Sequence, residues 1–436
     1  MGINVVDYGA VGNGETLCTE AIQSAVSAAR EAGAAVIIPP GSFLTGTIDI
    51  TGVSLHLEKG AVLKGSPHMH DYPPQHYIHN EFRAVRALLV CYESEHVLID
   101  GEGVIDFNGS AFFDFNHPML PDIPLTEAQI KECTVFYKDR PNQCLFFSKV
   151  SHVTVRDITL IDAPCWTITF SECTDVKALH LTITNSMNIP NNDGIHVSAC
   201  NGVLISGCHI TSADDCLAFS AITNWEKPCE NIMVSDCILC SCSKALVLGY
   251  VHSHVRNVVI NNVIIRDSNR GLCIMSSPVT GLVENVRVAN VIIQTRVRAG
   301  LYWGNGEAIL MMALEQAKHV PEEQRPGRCE SINIRNISLT GIHCDTENAL
   351  GIVGSHHNID GITLCGMTIS PKPSENLYLK GNVLDMEPNP EKVVVPADCA
   401  LYIKEVSNIL LSDIRIGGNR RIVAERVSDY NACGIK

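Results

Sequence analysis

The sequence predicts an all-β fold: a single domain wound as a parallel β-solenoid, with a helix capping its N-terminal end. Three observations predict it. A short β-branched motif recurs at intervals of 23 to 29 residues through Val153, Val176, Val203, Ile232, Val258 and Val286. No helical periodicity separates these recurrences, and their spacing is too wide for hairpins. One amphipathic stretch lies near the start of the chain.

In chain order, residues 19–33 place Ile22, Ala25, Val26 and Ala29 on one helical face, and Gly33 supplies the stop. An open solenoid end exposes unpaired strand groups, so this helix is expected to cover the first rung within a capping segment over about residues 1–50. Strands are expected around Val97, at the six positions above, and again around Ile332, Ile362 and Ile409. Each repeat buries its inward side chains against its neighbours. Cys173, Cys200, Cys208, Cys216, Cys229 and Cys237 suit that crowded interior as small hydrophobes. Residues 113–142 read as an irregular loop beside a cleft, residues 301–328 as an insertion that helps to close it, and about residues 400–436 as a C-terminal cap. A strand edge left bare at that end would support a homo-oligomer.

Composition narrows the function. Of 436 residues, 46% are apolar and only 18% charged, with a formal charge of −15. Nucleic acid and anionic membrane are therefore disfavoured as partners, since both need clustered Lys and Arg. No apolar run is long enough to span a bilayer, and the first eight residues show no export leader. The 19 scattered cysteines then read as reduced thiols, and a cytoplasmic protein is expected. Cys237 and Cys240 lack a partner pair at zinc-ligand spacing, and Gly12-Asn13-Gly14 lacks the strand-to-helix setting of a phosphate loop. No metal, nucleotide or other cofactor is expected.

Two polar interruptions carry the chemistry: Pro190-Asn191-Asn192-Asp193-Gly194-Ile195-His196 and Ala213-Asp214-Asp215-Cys216. Asp193 and Asp215 are 22 residues apart; if that interval is one turn of the solenoid, they come from neighbouring rungs about 4.8 Å apart. Turn chemistry alone would also explain Asx residues here. A cluster of three carboxylates on one face suits hydrolysis of a glycosidic bond, in which one carboxyl protonates the leaving oxygen and another activates water.

Asp7-Tyr8-Gly9-Ala10, Ile38-Pro39-Pro40-Gly41, Gly101-Glu102-Gly103-Val104-Ile105-Asp106, Arg140-Pro141 and Ala163-Pro164-Cys165-Trp166 occur in an order that resembles the polygalacturonase family, glycoside hydrolase family 28. The resemblance covers most of the chain and implies a right-handed parallel β-helix. Asn191-Asn192-Asp193 is similar to the family's Asn-Thr-Asp, and Asp214-Asp215 matches its Asp-Asp. It implies Asp214 as general acid, Asp193 and Asp215 as the pair that holds and deprotonates water, and inversion at the anomeric carbon. Two motifs differ. Lys244 stands where the family has the histidine of Gly-His-Gly, and Cys273-Ile274-Met275 where it has Arg-Ile-Lys, the grip on the substrate carboxylate. A thiol and a thioether cannot bind a carboxylate, so a neutral sugar is the better inference.

The remaining candidates are substrate contacts. Asn191 and His196 flank Asp193, Lys244 offers a cation beside the acids, and Trp166 and Trp303 offer faces for a sugar ring. His252, Arg270 and Glu307 complete the set. The expected partner is a small glycoside or oligosaccharide, cleaved from its end at a terminal pentose or deoxyhexose. An exo-polygalacturonase-like hydrolase and a non-catalytic carbohydrate-binding β-helix remain the alternatives.

Overall fold

The structure is a computed structural model that describes residues 2–75, 84–122, 124–315, 325–374, 383–390 and 392–436. Two parallel sheets, of 24 and 12 strands, run along the coil. Val97, Val153, Val176, Val203, Ile232, Val258 and Val286 lie in one unbroken register column of the larger sheet. All seven are buried, so the recurring motif is the inward-facing row of successive rungs. The column continues through Ile337, Ile362 and Ile409. Ile337 therefore replaces the expected Ile332: the strand begins at Ile334, and Ser331-Ile332-Asn333-Ile334 imitates the alternation of the motif just ahead of the true one.

The corners between strands use residues that tolerate positive φ. Asn231, Asn257, Asn285 and Asn336 adopt φ between 55° and 58°, and their side-chain amides bond rung to rung at 2.7–3.1 Å. Asn supplies both the left-handed backbone and the ladder donor, which explains why it follows the repeat so closely.

The N-terminal helix spans Thr19–Ala32, buries Ile22, Ala25, Val26 and Ala29, and stops at Gly33 with φ 61°. The segment around it carries rungs as well as the helix. Ile3–Asn4 already pairs with Val36–Ile38, so the ladder begins at the third residue. The expected C-terminal cap is likewise made of rungs: Cys399–Lys404, Val406–Ser412, Arg421–Glu425 and Ser428–Cys433 extend both sheets.

Two further expectations are corrected. Residues 113–142 contain an antiparallel hairpin, Phe113–Pro118 with Val135–Tyr137, and a short helix Glu127–Ile130. Thr126 and Gln129 cap that helix reciprocally, a local signal that the aromatic content obscured. Within residues 301–328, Ile309–Ala313 is a strand of the 12-stranded sheet; residues 316–324 lie outside the described ones.

Candidate active site

The site stands on the 12-stranded sheet, at the N-terminal ends of consecutive strands. Ile195, Leu217 and Leu246 are in register. Two residues ahead of each stand Asp193, Asp215 and Lys244, and Lys244 is paired directly with Arg270 on the next rung. The coil thus stacks two acids and two bases at one lateral position, at the strand spacing of about 4.8 Å.

Local sequence makes this stacking possible. Gly194 passes so close to the next rung that a Cβ there would meet the Cys216 carbonyl oxygen at 2.5 Å. Only glycine fits. Asn192, fully buried, accepts from the Ala213 N–H at 2.7 Å and donates to the Ser186 carbonyl at 2.7 Å. It fastens the turn bearing Asp193 to the turn bearing Asp214 and Asp215. The hydroxyls of Ser212 and Ser241 each donate to the Asp214 carbonyl at 2.7 Å, which fixes the backbone of the second turn.

Asp193, Asp214, Asp215, Asn191, His196, Lys244, Trp166 and Trp303 all line one cavity of about 260 Å³. Lys244 Nζ lies 2.9 Å from Asp215 Oδ1 and 4.4 Å from the centre of the Trp303 ring. His196 stacks on Trp166 at 3.8 Å, with Nδ1 3.6 Å from Asp193 Oδ2 and Nε2 hydrogen-bonded to Ser220 at 3.2 Å. Asn191 donates to Asp214 Oδ2 at 3.2 Å.

Burial pushes the Asp215 carboxyl well above the usual carboxylate range, while the Lys244 charge opposes that shift. Burial works to discharge Lys244, but the carboxylates of Asp215 and Asp214 outweigh it and the net direction is upward. Lys244 therefore keeps its proton. The cost of the second buried charge falls on Asp215.

Three predicted contacts lie elsewhere. Arg270 and Glu307 are fully buried behind the wall, 3.4 Å apart, and Arg270 also meets Asp385 at 3.5 Å. A guanidinium sealed between two carboxylates is a structural ion pair and leaves no face for a sugar. His252 is buried beside Trp225, bonded to Thr280, and pushed down to about 4 by burial and by Arg325 and Arg328. It belongs to the packing of a loop outside the cavity.

Other lining residues had no sequence motif to reveal them. Ala218, Val247 and Met275 form an apolar floor, with Tyr250, Leu301 and Tyr302 at the wall. The Trp303 loop is clamped from below: Gly304 N–H donates to Asp385 Oδ2 at 2.6 Å, and Ser243 donates to the Trp303 carbonyl at 3.3 Å. The cleft wall thus depends on a segment 81 residues further along the chain.

The family model of glycosyl hydrolases family 28 matches residues 30–375. The chain belongs to that family. A probable polygalacturonase of Vitis vinifera is 28% identical over 237 residues, 51% of this chain and 45% of that protein. An exo-poly-alpha-D-galacturonosidase of Dickeya chrysanthemi is 25% identical over 318 residues, covering 64% of this chain and 52% of that protein. The chain thus spans about half the length of these two relatives. Among solved structures, the family 28 exopolygalacturonase of Yersinia enterocolitica superposes with a TM-score of 0.72 at 17% identity, covering 99% of this chain and 78% of that one. An exopolygalacturonase of Thermotoga maritima gives 0.65 at 21%, covering 85% and 87%. These superpositions and the parallel ladders identify the fold as a right-handed parallel β-helix.

Proposed function

We propose that the chain is an inverting O-glycoside hydrolase that removes a terminal neutral sugar, a pentose or deoxyhexose, from a small glycoside or oligosaccharide. The observation that carries the reading is the fate of the cations at the cavity. Lys244 is the one lysine or arginine among the described lining residues, and its ammonium is already bound to Asp215. Arg270, the next cation along the column, is sealed behind the wall by Glu307 and Asp385. The position of the family's carboxylate grip holds fully buried Cys273 and cavity-lining Met275. A uronate would lose its hydration shell there with no charged partner in exchange.

In this reading a sugar ring lies on the apolar floor of Ala218, Val247 and Met275, with an aromatic face supplied by Trp303. Asp214 protonates the departing oxygen while Asp193 and Asp215 align and deprotonate water. A carboxylate whose pKa is raised is a stronger base once ionised, which suits Asp215 to the second task. The small cavity favours one terminal residue over a polymer threaded through it. Burial of 15 of the 19 cysteines as free thiols supports residence in a reducing compartment.

The names of the relatives favour a second reading, exo-action on galacturonate oligosaccharides. Turnover of galacturonate oligomers compared with a panel of aryl pentosides and deoxyhexosides separates the two. Cleavage of neutral glycosides alone is expected, and strong uronide cleavage alone would overturn the substrate assignment. Binding without hydrolysis, unchanged in Asp214→Asn, would establish the non-catalytic alternative.

A further inference from the structure

We propose that Arg140 is a positioning residue for Asp214 and that it acts through Asn191. The proposal rests on the reading of Asp214 as the general acid. Arg140 is 8% exposed, and its guanidinium lies 4.1 Å from the centre of the Tyr137 ring and 5.4 Å from that of Phe113. One nitrogen, Nη1, donates to the carbonyls of Pro164 and Pro190, and Nη2 donates to Asn191 Oδ1 at 3.0 Å. The aromatic hairpin and two successive rungs therefore hold one cation in a fixed place.

That contact dictates how Asn191 faces the acid. A guanidinium has donors only, so the Asn191 amide must turn its oxygen to Arg140 and its NH₂ to Asp214 Oδ2. With a donor already directed at Oδ2, that oxygen serves best as the carbonyl acceptor of the neutral acid, because a carbonyl oxygen accepts more strongly than a hydroxyl one. The proton belongs on Oδ1. Arg140 thus selects which oxygen of Asp214 carries the proton delivered to the leaving group, from one residue beyond direct contact. The backbone of Asp214 is pinned separately by Ser212 and Ser241, so removing Arg140 frees the carboxyl to rotate without releasing the turn.

Asn191→Gly is the cleaner variant, because Asn191 has φ 57° and glycine keeps that backbone at no steric cost. Arg140→Met preserves the aliphatic length. A mispositioned acid matters most when the departing oxygen needs a proton. Both variants should lower kcat on alkyl or sugar leaving groups by about 10²-fold, within the range for general acid catalysis. The loss on 4-nitrophenyl glycosides of the same sugar should be less than about 5-fold, since nitrophenolate departs unprotonated. Equal losses on both leaving groups would mean a merely structural role and overturn the proposal. Undiminished hydrolysis of an alkyl glycoside by Asp214→Asn would overturn the acid role and this inference with it. A crystal structure of Arg140→Met decides the positioning claim without any substrate: a rotated Asp214 carboxyl is expected, and an unmoved one refutes it while leaving the hydrolase reading intact.

Discussion

Lys244 Nζ sits 2.9 Å from Asp215 Oδ1, with both side chains almost wholly withdrawn from water. The two residues share one register position on adjacent rungs, so the coil itself enforces the pair. Removing the cation alone leaves a buried carboxyl without its partner. Lys244→Met should destabilise the fold by about 3 kcal/mol, and adding Asp215→Asn should recover a large part of that, measured by denaturant unfolding. The same variant should move the acidic limb of the kcat/KM profile to higher pH, since Lys244 holds the Asp215 pKa down against burial. A limb that stays in place would show that Asp215 ionisation does not govern activity.

The roles proposed for the three carboxylates predict different losses. Asp214→Asn should lose activity steeply on poor leaving groups and far less on activated aryl glycosides, whereas Asp193→Asn and Asp215→Asn should lose about 10²-fold or more on both. The opposite pattern for Asp214 and Asp215 would exchange their assignments. The first-formed sugar should carry inverted anomeric configuration, visible by proton NMR within the first turnovers; retention would rule out direct attack by water.

His252 supplies a pH prediction that is independent of catalysis. Its folded-state pKa is depressed to about 4, against about 6.5 in an unfolded chain. A histidine held neutral contributes stability above pH 6.5, and that contribution is lost as pH falls from there towards 4. NMR titration should place the His252 midpoint near 4, and His252→Gln should flatten the decline in unfolding stability across that window.

The asparagine ladder is a test of the fold. Asn257 sits at φ 57°, donates to Asn231 at 3.1 Å and accepts from Asn285 at 3.1 Å. Asn257→Ala would force an ordinary L-residue into the left-handed region and break both amide bonds, a loss of about 2 kcal/mol. Asn257→Gly should cost less, because only the bonds are lost. Equal unfolding midpoints for the two variants would show that backbone conformation is not part of the ladder's contribution.

Much of this molecule was legible in the chain because a solenoid repeats its constraints. Val153 to Val286 could be placed in one column from their spacing, and the helix over Ile22 to Ala29 from its period, since both patterns express local burial. Asp193, Asp214 and Asp215 stood out for the same reason, as acids interrupting apolar rungs one interval apart. Arg270 and Glu307 read as substrate contacts in the chain but lie behind the wall, because a charged residue reads as polar in a sequence whether it faces a cavity or an internal partner. Their partner Asp385 lies 115 residues from Arg270, beyond the reach of any local pattern. The hairpin at Phe113–Pro118 leaves no signal in the chain because its strands are joined by a helix-bearing insertion that erases the usual turn spacing.

The chain alone carries the repeat of the coil, the row of inward β-branched side chains and the presence of three acids on neighbouring turns. Those properties follow from periodicity, and periodicity is written in one dimension. Folding alone brings Lys244 to Asp215, seals Arg270 against Glu307 and places Trp303 over Lys244. These depend on segments far apart in the chain that meet at the cleft, where distance and burial, not residue type, set the function of a charge.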